Sequence, residues 1–453
     1  MATVLEQCRV QPSSGSHLTL PLTHFDMPFL TSSPSQRLLF IDFTCSKPDF
    51  LETIVPHLKE SLCVTLKHFL PLAGNLIYPI ISGRPVSRYV VGDSVSLTIA
   101  ECDKDFNYLT GNHPRMAEEF YACVPQLPPP IHLSDSIIYP VMALQVTLFP
   151  GHGVCFGLIN SHAIADECTI VGFVKEWASV NRFGSDSELI DKDNKSLPFY
   201  DRTFVEDPEG LDSISWNTMK KYKPAHSAPQ VFPLNRLRAT FVVTKDEVQK
   251  LKNFILNKQT NIDYISSFTV ISAYVWVCLV RSAAELGVEE VSADEPEFFA
   301  FAANCRARLS PPLPSTYFGN CAVMVIAESK HGELKGQEGF LIPAELIGKA
   351  IQKTVYHEKG VLHGADWPVE FPKWSGKRGF SVAGSPRFNI YDADFGWGKA
   401  KKYEFVHLDE ETSMSLCKSR EFKGGFEIGL SRPKIEMDAF AAVFTQGLKN
   451  MAL

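Results

Sequence analysis

The stretch NSHAIADECT, residues 160–169, places His162 and Asp166 four apart among small and apolar neighbours. Three readings fit that pattern. A metal can be shared by side chains at i and i+4 of a helix, but a third ligand is needed and nothing nearby supplies one. A neutral imidazole has the basicity to take a proton near pH 7, and such general-base help is worth about 10²–10⁴-fold. Asp166 would then orient the ring or pin the loop through an ion pair. The third reading is two polar residues at the start of a helix, with no chemistry.

Two further stretches bear on the choice. In YDADFGWGKAKKYEF (391–405), DFG alone suggests a protein kinase, yet the chain has no HRD, no APE and no glycine-rich loop followed by a VAIK-like lysine. A GxSxG elbow is also missing, which weighs against a serine hydrolase. The other stretch is NCRARLSPPLPSTYFGNC (304–321).

The surrounding pattern says which elements hold these groups. VMALQVTLF (141–149) alternates Met142, Leu144, Val146 and Leu148 on one strand face, PGHG (150–153) is a turn signal, and VCFGLIN (154–160) reads as the partner strand. His162 follows at once. Val171, Val174, Trp177 and Ala178 then recur at helical spacing, with Gly184 as a stop. His162 thus stands between a strand end and a helix start, where a side chain can face a cleft on a rigid support. Upstream, Phe50, Ile54, Leu58, Leu62 and Leu66 form a helical stripe that Pro56 either opens or breaks. Downstream, RATFVVT (238–244) reads as a strand, and Thr244 with Glu247 makes a capping box for the next helix.

A chain of 453 residues exceeds the size at which one core stops growing, about 250–300 residues. Alternating helices and strands around a polar, proline-bearing middle predict two α/β domains of similar size. The expected boundaries are 1–190 for the first domain, 191–235 for a crossover linker and 236–453 for the second domain. With 44 basic and 51 acidic residues the net charge is −7, so no basic field for nucleic acid is expected. FTVISAYVWVCLV (268–280) is too short for a membrane span of about 20 residues and reads as a core helix. The N-terminus MATVLEQCRV has no apolar signal core, and the 11 cysteines show no CxxC pair. A cytoplasmic chain with reduced thiols and no metal site is expected.

HAIAD (162–166) and DFGWG (394–398), in that order, resemble the two signature motifs of the BAHD family of plant CoA-dependent acyltransferases. YFGNC (317–321), TLPLTHFD (19–26), KHFLPLAGNL (67–76), ALQVTLFP (143–150) and SVAGSPRF (381–388) resemble its subgroup of anthocyanin, flavonoid and phenolic glycoside malonyltransferases, so the resemblance covers essentially the whole chain. It implies two chloramphenicol acetyltransferase-like domains with a solvent channel between them, HAIAD on the first and YFGNC and DFGWG on the second. A segment near 375–395 is expected to pack back on the first domain. The co-substrate would be an acyl-CoA, with no bound cofactor, the acceptor a phenolic glycoside, and the enzyme a monomer.

Residue by residue, the resemblance makes His162 the general base of a ternary complex, taking the proton of a sugar hydroxyl, the 6-OH above all, as it attacks the thioester. Asp166 becomes structural, paired with Arg306. Asp394, Gly396, Trp397 and Gly398 fix a turn, with direct roles for Asp394 in catalysis and for the Trp397 N–H at an oxyanion as sharper options. Ser266, Ser267 and Thr269, in ISSFT, line the CoA channel or simply cap a helix. A malonyl donor carries an ionised carboxylate whose burial is costly without a cation, and arginine suits it best. Arg387 is the first candidate, ahead of Arg378 and Lys377. A hydroxycinnamoyl donor would instead need a long apolar slot. One departure stands out: Glu167 occupies a position where family members commonly have glycine. A positive φ there would cost about 1–2 kcal/mol, and a non-catalytic glycoside-binding paralog is the alternative that this raises.

Overall fold

The computed structural model describes residues 2–184, 197–207, 210–224, 232–258, 265–287, 290–336, 339–364, 377–410 and 412–450. Three sheets carry the fold. The first is six-stranded, in the order 2–10, 95–102, 142–149, 153–160, 35–42, 402–405. The second is seven-stranded, in the order 322–330, 296–304, 379–383, 413–418, 426–433, 236–243, 115–116. A five-stranded sheet built from residues 18–140 flanks the first.

The hairpin expected before His162 forms, Met142 pairing with Asn160 and Phe149 with Gly153. It lies inside the sheet rather than at its edge. All eight residues of each strand are buried, so the alternation read on 141–149 does not separate a wet face from a dry one. Both faces are covered, as fits strands flanked by others on each side.

Two helices matter for the site. Helix α1 (Glu167–Phe183) buries Ile170, Val171, Phe173, Trp177 and Ala178 in the first core and ends on Gly184 at φ 74°. Helix α2 (Ser267–Leu286) is buried nearly all round in the second core. It is long and apolar enough to cross a membrane, yet it serves here as a core helix. The 47–68 stretch stays helical past Pro56. A π turn over Phe50–Ile54 precedes the α-helix Val55–His68, which needs no N–H from proline in its first turn. The Thr244–Glu247 capping box is made in both directions.

The two halves exchange segments. Gly379–Ala383 stays in the second sheet, between 296–304 and 413–418, so within 375–395 the return to the first domain begins only at Phe388. It runs from Phe388 to Leu408, whose apolar side chains join the first core, and its strand Lys402–Phe405 pairs with Ser35–Asp42. In exchange, Arg115–Met116 pairs with Arg236–Val243, and Phe25 packs in the second core. The seam is pinned by buried charges. Arg115 and Arg238 both hold Glu404, at 2.8 and 3.1 Å, and Arg238 also holds Asp409 at 2.6 Å. The linker carries a helix Leu211–Met219 and a bridge from Phe199 to Tyr317; 191–196, 208–209 and 225–231 lie outside the described residues.

Candidate active site

The chain leaves the strand Gly153–Asn160 and turns through 161–166 inside the core, with Ala163, Ile164 and Ala165 all buried. A buried turn needs partners for its peptide groups. Asn160 donates to the carbonyls of Ser161 and Ala165, Ser161 N–H reaches Val141 O at 2.8 Å, and Asn320 Nδ2 donates to His162 O at 2.9 Å. Asn320 is itself fixed on Asp26, which accepts its backbone N–H and its Nδ2 at 2.9 and 3.0 Å. Segments like TLPLTHFD and YFGNC therefore meet at the back of the histidine loop.

The His162 ring lies against Phe29, centroids 3.8 Å apart and 9° from parallel. Its Nδ1 finds no partner on another described residue. Burial, then the nearby Arg37 guanidinium, push its proton affinity below the usual histidine value, so the ring is a neutral base at pH 7. It lines a cavity of about 320 Å³ walled by both domains, with Glu167, Asn304, Arg308, Arg387 and His407 among the other lining residues.

Asp166 caps α1 by accepting Thr169 N–H at 3.0 Å. Its oxygens also take both ends of the Arg306 guanidinium, at 2.7 and 3.0 Å, an arrangement that adds geometric constraint to charge. Arg306 donates as well to the carbonyls of Tyr317 and Gly319. Gly319 sits at φ 116°, and a Cβ there would come within 2.5 Å of Arg202, so this turn requires glycine. The pair joins the two domains behind the histidine, and no carboxylate among the described residues hydrogen-bonds the imidazole.

Glu167 is the first residue of α1, and the one described non-glycine residue with positive φ is Asn235, so the strain expected at 167 is not there. A helix N-terminus favours an acidic residue. Glu167 accepts from Arg37 Nε at 2.6 Å and from the Tyr403 hydroxyl at 2.8 Å.

DFGWG stands apart from the cavity. Asp394 Oδ1 accepts the N–H groups of Gly396 and Gly398, and Oδ2 pairs with Arg182 of α1 at 2.5 Å. Both glycines have φ near +100°, the turn read from sequence. Trp397 stacks on Phe43 at 4.4 Å and packs with Phe156 and Phe395. Neither Asp394 nor Trp397 lines the cavity of His162, so the catalytic and oxyanion options lose their geometry. Ser266 caps α2, accepting Thr269 N–H at 3.0 Å, and Ser266, Ser267 and Thr269 are likewise outside that cavity. Arg387 lies in its wall. Arg378 and Lys377 do not; they border a separate cavity, where Arg378 pairs with Glu297. His24, Asp207 and Asp212 bring three donor atoms within 4.8 Å, but Asp212 accepts from His24 N–H and contacts its Nδ1, and Asp207 accepts Asp212 N–H. That cluster ties the 211–219 helix to the first domain.

Phe29, Asp26, Arg37, Asn320, Tyr403 and His407 belong to the site and escape the motif reading. Their one sequence signal is that Asp26 and Asn320 fall inside the subgroup-like segments.

A family model described as Transferase family matches residues 1–446. Phenolic glucoside malonyltransferase 1 of Nicotiana tabacum is 48% identical, covering 99% of each chain. The malonyl-coenzyme:anthocyanin 5-O-glucoside-6'''-O-malonyltransferase of Salvia splendens is 41% identical, covering 98% of this chain and 94% of its own. A coumaroyl-CoA:anthocyanidin 3-O-glucoside-6''-O-coumaroyltransferase of Arabidopsis thaliana is 34% identical over 99% of this chain and 98% of its own. Among solved structures, vinorine synthase superposes with a TM-score of 0.67 at 21% identity, covering 97% of this chain and 96% of its own. TRI101 of F. sporotrichioides, complexed with coenzyme A and T-2, gives 0.65 at 17% identity, covering 94% and 97%. These two likenesses show the shared two-domain fold. On the full-length family match and its relatives, the chain belongs to the Transferase family of BAHD acyltransferases.

Proposed function

We propose that this enzyme moves a malonyl group from malonyl-CoA to a sugar hydroxyl, the 6-OH first, of a phenolic, flavonoid or anthocyanin glucoside. The single observation that carries the reading is a neutral, half-buried His162 in one cavity with Arg308 and Arg387. His162 takes the hydroxyl proton as the oxygen attacks the thioester carbon. The tetrahedral intermediate collapses, the C–S bond breaks, and the same proton passes to the departing sulfur. Because both substrates are held together, no acyl-enzyme forms and Cys168, whose thiol burial pushes up to about 11, stays a bystander. The malonyl carboxylate meets Arg387, with Arg308 beside it in the wall.

The malonyltransferase relatives at 48% and 41% identity favour this donor over the coumaroyl group of the relative at 34%. Glu167 takes ordinary helical backbone, so strain there does not argue for a non-catalytic paralog. Eleven free thiols fit a cytoplasmic enzyme, and both cavity walls come from one chain, as fits a monomer. Side-by-side kinetics with malonyl-CoA and p-coumaroyl-CoA on one flavonoid glucoside test the donor. A higher kcat/KM for malonyl-CoA is expected, and a higher value for the aromatic donor refutes the assignment.

A further inference from the structure

Glu167 stands where the family resemblance implies glycine, and its carboxylate is fully engaged. Arg37 Nε lies 2.6 Å from Oε2, and the Tyr403 hydroxyl lies 2.8 Å from Oε1. Arg37 is locked from its other side by Asn160 Oδ1 at 2.6 Å, the residue that also ties down the His162 loop. The two charged side chains are 5% and 13% exposed, and both border the same cavity as His162. A guanidinium in such a place opposes protonation of a nearby imidazole, because charges are weakly screened there. A carboxylate bound to that guanidinium offsets the effect. It also commits Nε of Arg37 to Glu167, while Nη1 is held by Asn160.

We propose that Glu167 is a positioning residue for the general base: it holds Arg37 in place and cancels its charge, so that His162 keeps enough proton affinity to accept the hydroxyl proton and the donor carboxylate is left to Arg387 and Arg308. This rests on the general-base reading of His162. Asp166 also raises the proton affinity of the ring, but it is bound by Arg306 and does not hold Arg37. His407, on the turn Val406–Asp409, is held neutral by burial, its value pushed down to about 3. Arg308 and Arg387 add positive charge to the same cavity, and Cys168 stays a thiol.

The test is kcat/KM with malonyl-CoA from about pH 5 to 8. Wild type is compared with Glu167→Gln, Arg37→Gln and the double variant. In Glu167→Gln, uncompensated Arg37 lowers the proton affinity of His162. The acid limb moves to lower pH by about 0.5 unit or more, and the plateau falls because the base is weaker. In Arg37→Gln the uncompensated carboxylate moves the limb to higher pH, and the double variant returns it toward wild type. Glu167→Asp restores the wild-type limb, and Glu167→Gly, which needs no new contact, repeats the Gln shift if Gln impairs folding. Limbs that stay together, or that move the same way in both single variants, overturn the proposal, since a purely structural role lowers the plateau without opposed shifts. His162→Ala is run in parallel. Turnover retained there refutes the base reading itself, whereas a dead His162→Ala with unmoved limbs refutes the role of Glu167 alone.

Discussion

His162 and Phe29 lie face to face, 3.8 Å between ring centroids and 9° from parallel. The triad logic of a carboxylate holding an imidazole is replaced here by a flat apolar surface on one side and a clamped backbone behind. Asp166 could be mistaken for the missing carboxylate, but both its oxygens face Arg306.

Phe29→Ala should therefore lower kcat by about tenfold or more, through loss of ring orientation. Phe29→Tyr, which keeps the flat face, should retain most of it. Steady-state kinetics alongside a melting curve check this; equal kcat in Phe29→Ala and wild type would show that the stacking does not orient the base.

Asp166→Ala should act chiefly on stability. It leaves Arg306 buried and unpaired, a change that costs about 3–5 kcal/mol. Asp166→Asn keeps the cap on Thr169 and should cost less. Urea unfolding midpoints measure the loss. An unchanged midpoint with abolished turnover would assign Asp166 to the chemistry.

Asn320→Asp places a second carboxylate against Asp26 and removes the donor to His162 O. Both Tm and kcat should fall, with KM for malonyl-CoA changing less than kcat. Asn320→Ser, uncharged, should recover Tm in part.

Acid should destabilise the fold through His407. Its folded value is about 3, against about 6.5 in the unfolded chain. Between these values the unfolded state binds the extra proton, so stability is intact above about pH 6.5 and falls as pH drops below it, by up to about 1.4 kcal/mol per unit. His407→Gln should flatten the fall in urea midpoint between about pH 7 and 5. A variant with the wild-type slope would place the lost stability elsewhere.

The hairpin before His162, the capping box at Thr244 and the left-handed glycines of DFGWG are legible because each rests on neighbours in sequence. The pairing of Asp166 with Arg306 is legible only through the family resemblance. Phe29, Arg37, Tyr403 and Asn320 are not legible, since each reaches His162 or its loop from a remote strand or turn and carries no spacing signal. The return to the first domain, expected near 375–395, begins inside that range at Phe388 and runs on to Leu408; its limits are set by strand pairing with distant residues, Gly379–Ala383 with 296–304 and 413–418 and Lys402–Phe405 with Ser35–Asp42. Trp397, read first as a structural residue of the turn with an oxyanion role as the sharper option, serves the aromatic stack on Phe43.

The most direct test of the central claim is turnover by His162→Ala with malonyl-CoA and a flavonoid or phenolic glucoside, followed by mass spectrometry of the malonylated product. The general-base role predicts a loss of at least about 10²-fold in kcat with CoA binding and Tm nearly unchanged. Turnover within about tenfold of wild type would contradict it.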